Sequence, residues 1–204
     1  MAGPSISLDT LNRALDDVRN ELCELNLLTK RLDKVDVYLT PFYPWAVYGY
    51  YMEGSNALGR FLGWKAGNIY IPSMRLSSLL TLFGYREYFS LRHVLRHEYG
   101  HALAHKHPGL VKRSRDFTET FGGRYDRRRR VGDYSPFMHV SEYAATQPGE
   151  DFAETFALYV RGKGNILGYL HLAGVFMKLL FVNNLTEKLP AAVYKRGDVA
   201  RKSL

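Results

Sequence analysis

The sequence predicts an α+β fold, a small twisted sheet followed by a mainly helical second half, and three features lead to it. Apolar and polar residues alternate over residues 35–40, the period of a half-buried strand. Apolar residues at helical spacing mark the segment after Ser7 and much of the chain beyond Ser90. With 204 residues, 46% of them apolar and 24% charged, the chain can bury one full-sized core, which argues against a disordered or fibrous protein.

Ser7 is a candidate N-cap for a first helix in which Leu8, Leu11, Leu15, Val18, Leu22 and Leu25 recur at steps of three and four. Asp9, Arg13, Asp16, Asp17 and Glu21 occupy its other face, so the expectation is a helix laid across the domain. Val35, Val37 and Leu39 then alternate with Asp36, Tyr38 and Thr40, and Pro41 ends the strand. Residues 42–52 carry Tyr43, Trp45, Tyr48, Tyr50 and Tyr51 and predict a second strand before a turn at Gly54-Ser55-Asn56. A third strand, Ile69, Tyr70 and Ile71, follows the turn at residues 65–68. It is expected at a sheet edge beside the cleft, where an extended peptide could add as one more strand. A helix over residues 74–83 comes next, stopped by Gly84.

Residues 90–107 read as a helix on the apolar stripe Leu91, Val94, Leu95, Ala102 and Leu103. It carries His97, Glu98 and His101, the H-E-x-x-H arrangement of zinc-dependent hydrolases. Residues four apart lie one turn apart on one face, so both imidazoles can reach a single ion. Glu98, beside them, can take a proton from water without being a ligand. Gly100 leaves the surface between the histidines bare, open to another backbone or a substrate. His93 and His105 continue the four-residue series, but each step drifts about 40° around the axis, so they are expected to point past the metal.

A catalytic zinc site needs a third protein ligand. Residues 149–157 read as a helix with Glu150 and Glu154 on one face and Phe152, Phe156 and Val160 turned towards the core. Glu150 is the expected ligand, with Asp151, Glu154 or His139 as substitutes. Glu154, one turn on, is expected to hold the free N–H of a ligating histidine.

Between the two halves of this site lies a basic segment with Lys112, Arg113, Arg115, Arg124 and the run at 127–130. It is either a solvated loop or a docking patch for acidic side chains or phosphates. Tyr125 is the lone aromatic among these arginines, poor support for stacking on single-stranded nucleic acid. The last predicted helix, residues 165–182, is apolar nearly all round apart from His171 and Lys178. It is too short and interrupted for a membrane span and is expected as a core helix behind the site.

The parts are therefore residues 1–32 (first helix), 33–107 (sheet and active-site helix), 108–140 (basic insert), 141–190 (helical lower half) and 191–204 (basic tail), all in one domain. A net charge of +8 favours acidic partners, whether a peptide, nucleic acid or an anionic surface. Cys23 stands alone, which excludes internal disulfides and cysteine zinc sites. The first residues lack a cationic start followed by an apolar run, so the expected location is the cytoplasm, or outside the cell by a route without a classical signal peptide.

His97-Glu98-Tyr99-Gly100-His101, then Tyr143, then Glu150 with Phe152-Ala153-Glu154 and Phe156 resemble the gluzincin metallopeptidases. The chain is especially similar to the anthrax lethal factor catalytic domain and to a group of zinc-binding bacterial metallopeptidases. The resemblance covers residues 91–160. It implies a zincin-like fold and one Zn2+ per chain held by His97, His101 and Glu150. It also implies Glu98 as general base and Tyr143, seven residues before the glutamate, as hydrogen-bond or proton donor to the reacting carbonyl. The substrate class it implies is a peptide or protein. The alternative is a zinc-binding module without catalysis, which holds an acidic partner or nucleic acid through its basic segment.

Overall fold

The computed structural model describes residues 6–40, 49–54, 63–73, 90–129 and 134–190, and the elements are numbered within these segments. Most of the strand expected over 42–52, the turn residues Ser55 and Asn56, the helix expected over 74–83 with Gly84, Arg130 and the tail at 191–204 lie outside them.

Helix α1, Leu8–Glu24, begins where the leucine stripe places it, because the Ser7 hydroxyl accepts the free N–H of Thr10 at 3.2 Å. Leu11, Val18 and Leu22 are buried, whereas Leu8 is exposed. The buried face also takes Arg19, whose guanidinium pairs with Asp33 and reaches the Tyr99 hydroxyl at 3.5 Å.

Strands β1 (Val37–Thr40), β2 (Tyr50–Tyr51) and β3 (Ile69–Pro72) form one sheet in the order β1-β3-β2. β1 runs parallel to β3 with Val37 opposite Ile69, and β2 runs antiparallel with Tyr50 opposite Tyr70. This corrects one expectation: Ile69, Tyr70 and Ile71 belong to the middle strand, between β1 and β2, and not to a sheet edge. An apolar triplet buried on both faces suits a central position better than an edge. Tyr70 stacks on Trp64 and Tyr38, with ring centroids 4.4 and 5.4 Å away, and its hydroxyl accepts the Lys65 N–H. The strand next to the histidine helix is β2.

Helix α2, Leu91–Lys106, is capped by Ser90, which accepts the His93 N–H at 3.2 Å. It is the central helix, packed against α1, the sheet and α4 (Pro148–Arg161). It packs closely against α4 at Gly100. A Cβ there would lie 3.1 Å from the Ala153 Cα and 3.2 Å from Phe156, so the bare surface between the histidines serves helix packing.

The basic segment is not a solvated insert. It contains helix α3, Arg115–Thr120, and buries Phe117, Phe121 and Tyr125. Phe117 and Phe121 meet Phe152 of α4 and Phe181 of the last helix in edge-to-face contacts with centroids 5.5 to 6.0 Å apart. Helix α5, Ala173–Lys188, starts eight residues later than the sequence predicts and runs on past Val182. The Asn165 carboxamide accepts the Leu167 N–H at 3.2 Å, a local turn that competes with helix, and residues Leu167–Tyr169 form a 3-10 turn instead. None of the described helices is long and apolar enough to cross a membrane.

Behind α4, Asp151 is completely buried, and its Oδ2 accepts from Lys178 at 2.8 Å and Arg129 at 3.0 Å. Arg129 also donates to the Phe121 carbonyl, so this member of the arginine run is a structural cation that ties three segments together. Replacing Asp151 with Ala strands two cations in the interior. The expected loss of stability is about 3 to 5 kcal/mol, read from the midpoint of urea unfolding at constant slope.

Candidate metal centre

One turn of α2 brings the His97 and His101 rings to a centroid distance of 4.8 Å, nearly at right angles. Their Nε2 atoms are 3.1 Å apart. From the first turn of α4, behind Pro148, Glu150 reaches in so that its Oε2 stands 3.2 Å from both Nε2 atoms. The three donor atoms thus form a nearly equilateral triangle, and among the described residues these are the three side chains grouped so that they could hold a metal ion.

The far nitrogens explain which way the rings face. His97 Nδ1 lies 2.8 Å from Glu154 Oε1, and a carboxylate can only accept, so Nδ1 carries a proton and it is Nε2 that faces the triangle, free to give its lone pair when a cation replaces the second proton. His101 Nδ1 lies 2.7 Å from the Tyr125 hydroxyl, which accepts in the tautomer that presents Nε2. Glu154 is held in turn by the Ser141 hydroxyl at 3.1 Å and contacts His93 Nε2 at 3.4 Å. His93 therefore supports Glu154, and His105 pairs with Glu53, so both outer histidines point away from the triangle.

Three lone-pair donors converging at this distance repel one another unless a proton or a cation sits between them. Burial alone would lower the pKa of His97, but hydrogen bonds to Glu150 and Glu154, with Glu98 nearby, hold it well above the ordinary imidazole value. Burial would raise Glu150, yet His101 and His97 keep it well below the usual carboxylate range. Glu154 is likewise held low against burial, by His93 and His97. The site favours positive charge at its centre.

Glu98 is buried outside the triangle, and its Oε2 accepts the backbone N–H of Tyr51 at 2.7 Å. Strand β2 and its approach hold this carboxylate in place, since a Cβ on Gly49 would lie 3.1 Å from Glu98 Cγ. Burial raises the Glu98 pKa, and the neighbouring histidines and the Tyr51 N–H offset this only in part. Tyr143 stands at the mouth, 45% exposed, with its ring centroid 5.9 Å from that of His97. Loss of hydration at the hydroxyl, reinforced by Glu150 and Glu98, raises its pKa, so it remains a proton-bearing phenol. Ser141 fixes its segment by accepting the Ala144 N–H at 3.0 Å while bonding Glu154.

His97, Glu98, His101, Tyr143, Glu150 and Glu154 therefore meet in one place. The substitute ligands Asp151 and His139 do not join them, since Asp151 is committed to Arg129 and Lys178 and His139 lies 3.1 Å from Arg129. Ile69, Tyr70 and Ile71 are in the sheet centre. Sequence reasoning missed Tyr125, Ser141 and the Tyr51 backbone. Tyr125 had one signal, an aromatic residue isolated in a charged run.

No protein-family model, no curated protein and no solved structure matches this chain.

Tyr125→Phe removes the partner of His101 Nδ1 and keeps the packing of the ring. The expected result is a loss of about ten- to a hundredfold in divalent-metal affinity, by competition with a chromogenic chelator, with an unchanged circular dichroism spectrum.

Proposed function

We propose that the chain is a zinc-dependent metallopeptidase of the gluzincin type on a zincin-like domain. The observation that carries this reading is the donor triangle. A tetrahedral ion with bonds of about 2.0 to 2.1 Å sets its ligands about 3.3 Å apart, and the sides here are 3.1, 3.2 and 3.2 Å. Two imidazoles and one carboxylate suit zinc or a related transition metal, whereas calcium and magnesium prefer an all-oxygen shell. A small sheet bordering the histidine helix, with the third donor on a later helix, agrees with a zincin-like arrangement.

Zinc held by His97, His101 and Glu150 would supply Lewis acidity, acidifying a water and polarising a carbonyl. The chain's own residues do the rest. Glu98, one oxygen anchored on the Tyr51 N–H, has Oε1 left to take a proton from the attacking water. The raised pKa that burial gives it brings its basicity nearer to neutral pH. The same carboxyl then passes the proton to the leaving amine. Tyr143, protonated and at the mouth, donates a hydrogen bond to the oxygen that gains negative charge. Glu154 keeps His97 in the ligating tautomer, and the Tyr125 hydroxyl accepts from His101 Nδ1 when His101 is in the same tautomer.

Glu98→Gln is expected to lower kcat/KM on a peptide library by about two to four orders of magnitude while keeping about one zinc per chain. Glu150→Ala is expected to lose the metal. Metal quantification on purified protein checks both, and full zinc occupancy in Glu150→Ala would overturn the ligand set. Tyr143→Phe is expected to lower kcat by about two orders of magnitude with zinc content unchanged.

A further inference from the structure

Beside the metal centre, a cavity of about 810 Å³ opens between α3 and the segment that follows it. Lys112, Arg113, Arg115, Arg124 and Arg127 line it, against Asp126 as the acidic lining residue. Arg115 is engaged with Glu119 at 2.7 Å, and Lys112 lies near Glu53 and Asp126 at 3.5 and 3.6 Å. Arg113, Arg124 and Arg127 are exposed and have no acidic partner among the described residues. Arg127 also lines a second cavity, of about 580 Å³, with the exposed Arg128, so the basic surface continues past the first.

Tyr125 is the wall between this cavity and the metal ligands. Its hydroxyl meets His101, the Lys112 ammonium lies 4.9 Å from its ring centroid, and the Tyr125 and His101 ring centroids are 6.2 Å apart.

We infer that this cavity is a substrate-binding subsite for acidic side chains. The inference rests on the peptidase reading for the word substrate, but the binding itself does not need catalysis. Guanidinium groups without partners bind carboxylates through paired, charge-assisted hydrogen bonds. Single-stranded nucleic acid fits less well, because Tyr125, the aromatic residue lining this cavity, is only 2% exposed and offers no face for stacking.

The test uses the Glu98→Gln full-length chain, so that binding is read without hydrolysis. Fluorescence anisotropy compares labelled hexaglutamate, hexaglutamine and a short oligothymidylate. Hexaglutamate is expected to bind at least about tenfold more tightly than hexaglutamine, the scale of one charge-assisted pair, and to weaken as salt rises. Arg113→Glu, Arg124→Glu and Arg127→Glu combined should abolish the preference, and the triple Gln variant should reduce it with the metal content of the parent. Equal affinity for the two peptides, an unchanged preference in both triple variants, or tighter binding of the oligothymidylate would overturn the inference. Loss of the preference with an intact zinc site and normal cleavage of neutral peptides in the parent background would confirm it. Absence of cleavage by the parent would instead strike the peptidase reading alone.

Discussion

Everything at the centre of this molecule depends on how closely α2 and α4 approach. Gly100 and Ala153 meet almost backbone to backbone. That distance lets a glutamate in the first turn of α4 reach the two imidazoles of α2, where a larger residue would hold the helices apart. The aromatic cluster of Phe117, Phe121, Phe152 and Phe181 braces the far side of α4. Because well-packed interiors transmit strain rather than absorb it, helix spacing and donor spacing are one quantity.

Consecutive residues of α4 show how charge divides its faces. Successive helical side chains are about 100° apart, so Glu150 and Asp151 look into different surroundings. Asp151 meets Lys178 and Arg129 and is neutralised by the chain's own cations. Glu150 meets the two imidazoles and the Tyr143 phenol, and the imidazoles compensate its charge if they bind a proton or share an ion. With Glu98 and Glu154 close by, the pocket concentrates negative charge within a protein whose net charge is +8. The same physics favours a cation inside. Tyr125 joins these two regions, since its hydroxyl bonds His101 of the donor triangle and the same residue lines the arginine-rich cavity.

The sequence by itself determined the local geometry. His97 and His101 share a face because the helical repeat demands it, and the Ser7 cap was legible because capping is an interaction over three residues. Glu150 and Glu154 were readable as one face of a helix for the same reason. Only the tertiary structure decided what lies across a gap. The order β1-β3-β2 put Ile69, Tyr70 and Ile71 in the middle of the sheet, and strand order is set by pairing partners rather than by the strand's own residues. Tyr125 and Arg129 read as part of a solvated charged run, yet Phe117 and Phe121 drew that segment into the core, and burial then required the hydroxyl and the guanidinium to find partners on α2 and α4. Periodicity records which side of an element is apolar. It carries no record of which element comes to cover that side, because the contacts that decide it join residues far apart in the chain.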